Sequence, residues 1–275
     1  MLSEKKSQSD SPIRLGIISA LPHEQQGLNQ SMQQQRQTQR GMRDYSEGNC
    51  WGIDCISVLS RIGKVAAAAT AVVLIERFAV THILFTGVAG SADQAVQIGD
   101  IVIAEQLIQH DMNAQPLFPR FQVPLTERSE FTANADLNQQ LSAAVDDFIR
   151  LDFLNVIQPR DRQQFCLETP RLHQGLIASG DEFICSEKRI RTLKADLPSV
   201  LAVEMEGAAV AQVCFEYGLP FAVIRTISDK ANAQACIDFL QFIEKVAAPY
   251  AFHTIRRFCL TMAQKRAMRL AATPK

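Results

Sequence analysis

Short runs rich in Val and Ile alternate along this chain with longer segments whose apolar residues recur at helical spacing, and that alternation constrains the fold more than any other feature. Leu15–Ala20, Ile53–Leu59, His82–Thr86, Ile101–Leu107, Gly175–Ser179, Val200–Glu204 and Phe221–Ile227 read as strands. Lys64–Phe78, Glu187–Ala195, Ala208–Tyr217 and Leu240–Gln264 read as helices. Strand-helix alternation of this kind predicts an α/β fold built on a largely buried sheet. The strand at His82–Thr86 runs into Gly87, which with Gly90 is expected to form a tight turn. The least regular region, 111–171, sets Pro116, Pro119, Pro124, Pro159 and Pro170 around one amphipathic segment, Asn138–Phe148, and is expected to be an insertion within a single domain. The glutamine-rich Gln33–Arg40 is expected to be a solvated helix. The boundaries read as a disordered tail over 1–12, one domain over 13–265 and a carboxy-terminal tail over 266–275.

At 275 residues, 47% of them hydrophobic, the chain can bury a full core. Its 28 basic and 29 acidic residues are scattered and leave a net charge of −1, so there is no electrostatic footprint for nucleic acid or an anionic membrane. A small-molecule partner is expected instead. The longest apolar stretch, Val65–Ile75, falls short of the roughly 20 residues a membrane helix needs. The polar start, Met1–Pro12, lacks the apolar run of a signal peptide, and the seven cysteines are odd in number with no C-x-x-C pair. A cytoplasmic protein with reduced core cysteines is expected.

Ligands of open α/β sheets bind beyond the carboxyl ends of the strands, where five segments gather polar or glycine residues. They are Ala20–Glu24, Thr86–Ser91, Ser179–Ile184, Glu204–Ala209 and Ile227–Asp229. Together they hold carboxylates, close backbone turns and one aromatic ring, with no Cys/His ligand cluster and no nucleophile elbow. That set suits acid-base chemistry on a flat polar ligand and implies neither metal nor cofactor. The third glycine of a dinucleotide fingerprint is missing after Gly87 and Gly90, and Gly63-Lys64 lacks the rest of a P-loop.

Seven motifs in order resemble the purine nucleoside phosphorylase and nucleosidase superfamily, and within it the 5′-methylthioadenosine/S-adenosylhomocysteine nucleosidases. They are Leu15-Gly16-Ile17-Ile18-Ser19-Ala20 with Glu24, Arg61-Ile62-Gly63-Lys64-Val65-Ala66-Ala67, Thr86-Gly87-Val88-Ala89-Gly90, Gly99-Asp100-Ile101-Val102, Ser179-Gly180-Asp181-Glu182-Phe183-Ile184, Val203-Glu204-Met205-Glu206 and Arg225-Thr226-Ile227-Ser228-Asp229. The resemblance implies a three-layer αβα sandwich with a mixed central sheet, hydrolysis of a purine N-glycosidic bond, a place in methionine salvage and a homodimer.

It also implies roles. Asp229 is the acid for N7 of the departing purine, and Glu24 positions or deprotonates the attacking water. Glu206 accepts from the ribose hydroxyls, Met205 lies against the sugar, Phe183 stacks on the base and the Ile184 backbone reads its edge. Ile62, Val88, Ala89, Gly90, Ser228 and Phe239 are expected in the same pocket, with Arg225 pairing a carboxylate beside it and Glu204 serving a structural hydrogen bond. Each has a plainer reading: Ser228-Asp229 as a turn cap, Glu24 as a first-turn helix carboxylate, the phenylalanines as core. His110-Asp111 resembles the pair that enters a subunit-interface loop in the family. Met112–Phe121, Val88 and Lys230 depart from the family pattern. The rivals are phosphorolysis, which needs cationic donors that Ser19–Gln25 lacks, and a nucleoside-binding module without turnover.

Overall fold

The computed structural model describes residues 12–20, 22–231 and 239–272, without the side chains of Glu24, Gln26, Arg269, Leu270 and Ala272. The tail expected over 1–12 falls, but for Pro12, outside the described residues, as does Cys236.

The chain runs β1 (Arg14–Ser19), α1 (Pro22–Ser31), β2 (Gln33–Arg40), β3 (Arg43–Cys50), β4 (Ile53–Leu59), α2 (Lys64–Phe78), β5 (His82–Ser91) and β6 (Ile101–Gln109). It continues through β7 (Glu130–Thr132), α3 (Ala135–Asp147), a π-helical turn (Phe148–Asp152), α4 (Phe153–Val156), α5 (Pro159–Gln164), β8 (Leu172–Ser179) and α6 (Glu187–Asp196). It ends with β9 (Val200–Glu204), α7 (Gly207–Tyr217), β10 (Phe221–Asp229), α8 (Phe239–Phe242), a second π-helical turn (Ile243–Ala247) and α9 (Ala248–Ala272).

The mixed sheet has two parts that share β5. On one side β5 pairs β1 in parallel, β1 pairs β4 in parallel, and β3 and β2 follow antiparallel. On the other, β5, β10, β6, β8 and β9 hydrogen-bond in a closed ring. Alternation along β1 sets the two helical layers: Leu15 and Ile17 pack with α1, α3 and α9, while Ile18 packs with α2 and α7 on the opposite face. The result is helix on both faces of a mixed sheet.

Three expectations need correction. Gln33–Arg40 is the edge strand β2 of a hairpin rather than a helix, with a turn through Gly41 at φ +56. Its side chains are nearly all exposed, so pairing comes from backbone bonds to β3 and leaves no apolar period in the sequence. Gly87 and Gly90 do not end a strand. Both lie inside β5, neither at positive φ, and they serve close approach. A Cβ on Gly87 would sit 3.4 Å from the Arg225 guanidinium, and one on Gly90 3.0 Å from Asp229 Oδ1. Of the cysteines, Cys50, Cys55, Cys214 and Cys259 are buried thiols, whereas Cys166 and Cys185 are exposed. Within 111–171, α3 begins where Asn134 accepts from the Leu137 N–H, and buries Leu137, Leu141, Ala144 and Val145.

Candidate active site

A cleft of about 710 Å³ opens where β5, β9 and β10 meet. Val88, Ala89 and Gly90 come to it from β5, and Arg225, Ser228 and Asp229 from β10. Met205 and Glu206 follow β9, and Phe183 and Ile184 follow β8. Ile62, from the turn before α2, and Phe239, the first residue of α8, close the mouth, with the Phe183 and Phe239 rings edge to face at 6.1 Å. The residues expected at the substrate therefore share one cleft, apart from Glu24, whose backbone lies on α1 and whose side chain falls outside the described atoms.

One end of the cleft is a buried charge cluster. Arg225, 1% exposed, donates to Glu204 Oε2 at 2.7 Å and to the carbonyls of Phe85 and Ile224, with its guanidinium over the Phe85 ring. Glu204 also accepts from the Ser179 hydroxyl and from the N–H groups of Glu206 and Gly207, which open α7. An arginine inside an apolar strand is tolerable because this carboxylate neutralises it and both its terminal nitrogens find acceptors. Glu206 has no cationic partner of its own among the described residues. Its Oε1 accepts from the Gly63 N–H at 2.8 Å. Burial, and then the neighbouring Glu204 charge, push its carboxyl up to about 7, against the pull of that N–H and of Arg225.

At the other end Asp229 is buried with no basic residue bonded to it among the described residues. Its Oδ2 accepts from the Ser228 hydroxyl at 2.7 Å and its Oδ1 from the Ala231 N–H at 2.7 Å. Burial raises its pKa more than those two bonds lower it, so the neutral acid is favoured relative to an exposed aspartate. The turn-capping reading of Ser228-Asp229 is thus physically present, and it coexists with an acid facing the cleft.

Ala20, Gly87, Glu182, Val203 and Glu204 also line the cleft without having been expected to touch ligand. Three of them, Gly87, Glu182 and Glu204, adjoin residues that were expected there, and strand spacing alone does not say which neighbour turns inward. His110 and Asp111 do not pair. His110 is buried against Gly180 with neither ring nitrogen bonded, and Asp111 joins Lys64 and the Asp181 N–H. Among the described residues no group of three or more His, Cys, Asp or Glu is placed to hold a metal ion.

A buried aspartate biased towards its neutral form and a second buried carboxyl, in an α/β cleft with largely apolar walls, are the features of a site for a polar small molecule. The family profile of the Phosphorylase superfamily matches residues 14–259. A 5′-methylthioadenosine/S-adenosylhomocysteine nucleosidase from Shewanella denitrificans is 34% identical over 233 residues, covering 85% of this chain and 93% of the relative. The Streptococcus pneumoniae nucleosidase of the same name, solved with a transition-state inhibitor, superposes with a TM-score of 0.78 at 30% identity, covering 91% of this chain and 100% of the other. The futalosine hydrolase of Helicobacter pylori superposes at 0.75, also at 30% identity, over 89% and 97% of the two chains. This chain belongs to the Phosphorylase superfamily and, within it, to the family of 5′-methylthioadenosine/S-adenosylhomocysteine nucleosidases.

Proposed function

We propose that the protein hydrolyses the N-glycosidic bond of 5′-methylthioadenosine and S-adenosylhomocysteine, releasing adenine and a 5-thio-ribose, as a cytoplasmic enzyme of methionine salvage. The observation that carries this reading is the pairing within one cleft of Asp229, biased towards its neutral form, with Glu206 and no free cation. Breaking the bond leaves positive charge on the ribosyl carbon and negative charge on the base, so a proton or hydrogen bond to N7 lowers the barrier. Asp229 supplies it, contributing about 10²–10⁴-fold. Glu206 accepts from the 2′- and 3′-hydroxyls, and Met205 packs on the sugar. Phe183 stacks on the purine, and the Ile184 backbone reads its edge. Glu24 is assigned to the water.

Water rather than phosphate fits the electrostatics. Among the described lining residues the basic one is Arg225, and Glu204 already neutralises it. A phosphate dianion would meet the Glu206 carboxyl, and among the described lining residues there is no cation outside the Arg225–Glu204 pair to hold it. The test is incubation with 5′-methylthioadenosine with and without phosphate: adenine and free 5-methylthioribose in both buffers support the reading, and a sugar phosphate formed solely with phosphate overturns it.

The homodimer follows from the surface at the mouth. Leu117 is 83% exposed, and Ile62 and Val65 are exposed beside the cleft. Asp111, which starts the proline-rich segment, bonds Lys64, so that segment leaves the sheet beside the turn and helix start that carry Ile62 and Val65, and a second copy would cover these exposed apolar groups. Leu117→Asp is expected to shift sedimentation towards monomer and raise KM for 5′-thio nucleosides. An intact dimer with unchanged kinetics removes the proposal.

A further inference from the structure

The start of α2 distributes its backbone donors in an unusual way. Gly63 precedes the helix at φ +97 and offers no side chain, so the first N–H groups of α2 bond elsewhere. The Gly63 N–H goes to Glu206 Oε1 at 2.8 Å, and the next one, Lys64 N–H, goes to Asp181 Oδ1 at 2.8 Å. Asp181 lies on the loop after β8, two residues before Phe183. Its own N–H donates to Asp111 Oδ2 at 2.9 Å. Asp111 Oδ1 accepts from Lys64 Nζ at 2.6 Å, and that ammonium also donates to Gln109 Oε1 at 3.1 Å. Lys64, Asp111 and Asp181 therefore form a closed ring of bonds, and the peptide that gives the Lys64 N–H to the ring is joined through the Gly63 Cα to the one whose N–H serves Glu206. The turn that carries this peptide has Arg61 as well as Gly63 at positive φ, a conformation held by its surroundings rather than by preference. A Cβ at Gly63 would lie 3.2 Å from Asp181 Oδ1, so the fit is close on that side too.

We infer that Asp181 is a positioning residue for ribose recognition: by capping α2 from outside the helix it fixes the Gly63 N–H that aims Glu206, and so ties the sugar end of the cleft to the loop that carries Phe183 and Ile184. The inference rests on the assignment of Glu206 to the ribose hydroxyls. A cap of the ordinary kind stabilises its helix and leaves ligand selection alone. This one acts on selection because consecutive N–H groups serve the cap and Glu206.

The test compares 5′-methylthioadenosine with its 2′-deoxy counterpart, by kcat/KM and by calorimetric affinity, on the parent, Asp181→Ala, Asp181→Asn and Lys64→Met. In Asp181→Ala, activity on the ribonucleoside falls about tenfold, mainly through KM, while the deoxynucleoside changes by less than about twofold, so discrimination shrinks. Asp181→Asn, which retains an acceptor oxygen for the Lys64 N–H, returns discrimination to within about threefold of the parent. Lys64→Met, which leaves both carboxylates in place, moves the same ratio by about twofold to threefold and serves if Asp181→Ala does not fold. Equal losses on both nucleosides, or none on either, overturn the inference. A parent protein that neither binds nor cleaves either nucleoside removes the nucleosidase reading, and the inference with it.

Discussion

The two ends of the cleft hold carboxyl groups of the same chemistry with different neighbours. Asp229 has a hydroxyl and one backbone N–H for company, and burial biases it towards the acid. Glu204 faces a buried arginine and three other donor groups, and Glu206 sits between that pair and the Gly63 N–H. On the proposed reading one end gives a proton and the other accepts hydrogen bonds; burial raises both Asp229 and Glu206, and what differs is the Glu204–Arg225 pair beside Glu206.

The largest expected effect on this contrast is Asp229→Asn. Cleavage falls about 10²–10⁴-fold while nucleoside affinity stays within about tenfold, because the bond to N7 matters mainly in the transition state. Weak affinity with normal turnover would place Asp229 in binding instead. Next is Arg225→Met, which strands the Glu204 charge among buried groups and is expected to cost about 3–5 kcal/mol of stability, read from denaturant unfolding. A loss under 1 kcal/mol would show that water reaches the cluster.

Glu206→Gln moves stability the other way. The Glu206 carboxyl is raised to about 7 in the folded protein from 4.5, so its ionisation opposes folding as pH climbs through that window. The variant and parent should melt alike near pH 4, and the variant should be more stable at pH 8.5 by up to about 3 kcal/mol, with diol affinity lost. Equal melting at both pH values would mean the carboxylate is solvated. In the parent, KM for a ribonucleoside is expected to rise as pH falls through about 7, since the protonated acid is the poorer acceptor. Turnover is expected to fall at higher pH, as Asp229 ionises. A flat profile would erase the distinction between the ends. The smallest effect is expected far from both, at Gln37→Ala on β2, within about 0.5 kcal/mol.

Legibility in the sequence followed burial. Lys64–Phe78, Ile53–Leu59 and Val200–Glu204 coincide with α2, β4 and β9, because their apolar residues face a core that imposes a period. β2 was illegible as a strand since its side chains touch water on nearly every position. The glycines of β5 were visible as necessary but not for the right cause: their partners, Arg225 and Asp229, lie far along the chain. The cleft residues were found through motif order, whereas the contacts that hold them, from Ser179 to Glu204 or from Gly63 to Glu206, join segments that no local pattern connects. Glu182 beside Phe183, exposed and paired with Arg189, carried no signal of its place at the edge of the cleft.

The ring of strands closed by β10 also sets when the molecule comes to life during synthesis. Arg225 reaches the carbonyl of Phe85 across 140 residues of chain, and every cleft residue on β10 waits for that long-range closure. Non-local pairing of this kind is slow, and a nascent chain that has not yet emitted Phe221 presents β5 with one side unpaired. The strand that covers this edge of β5 is also the one that brings Asp229 to the cleft, so completion of the sheet and completion of the site are one event of folding.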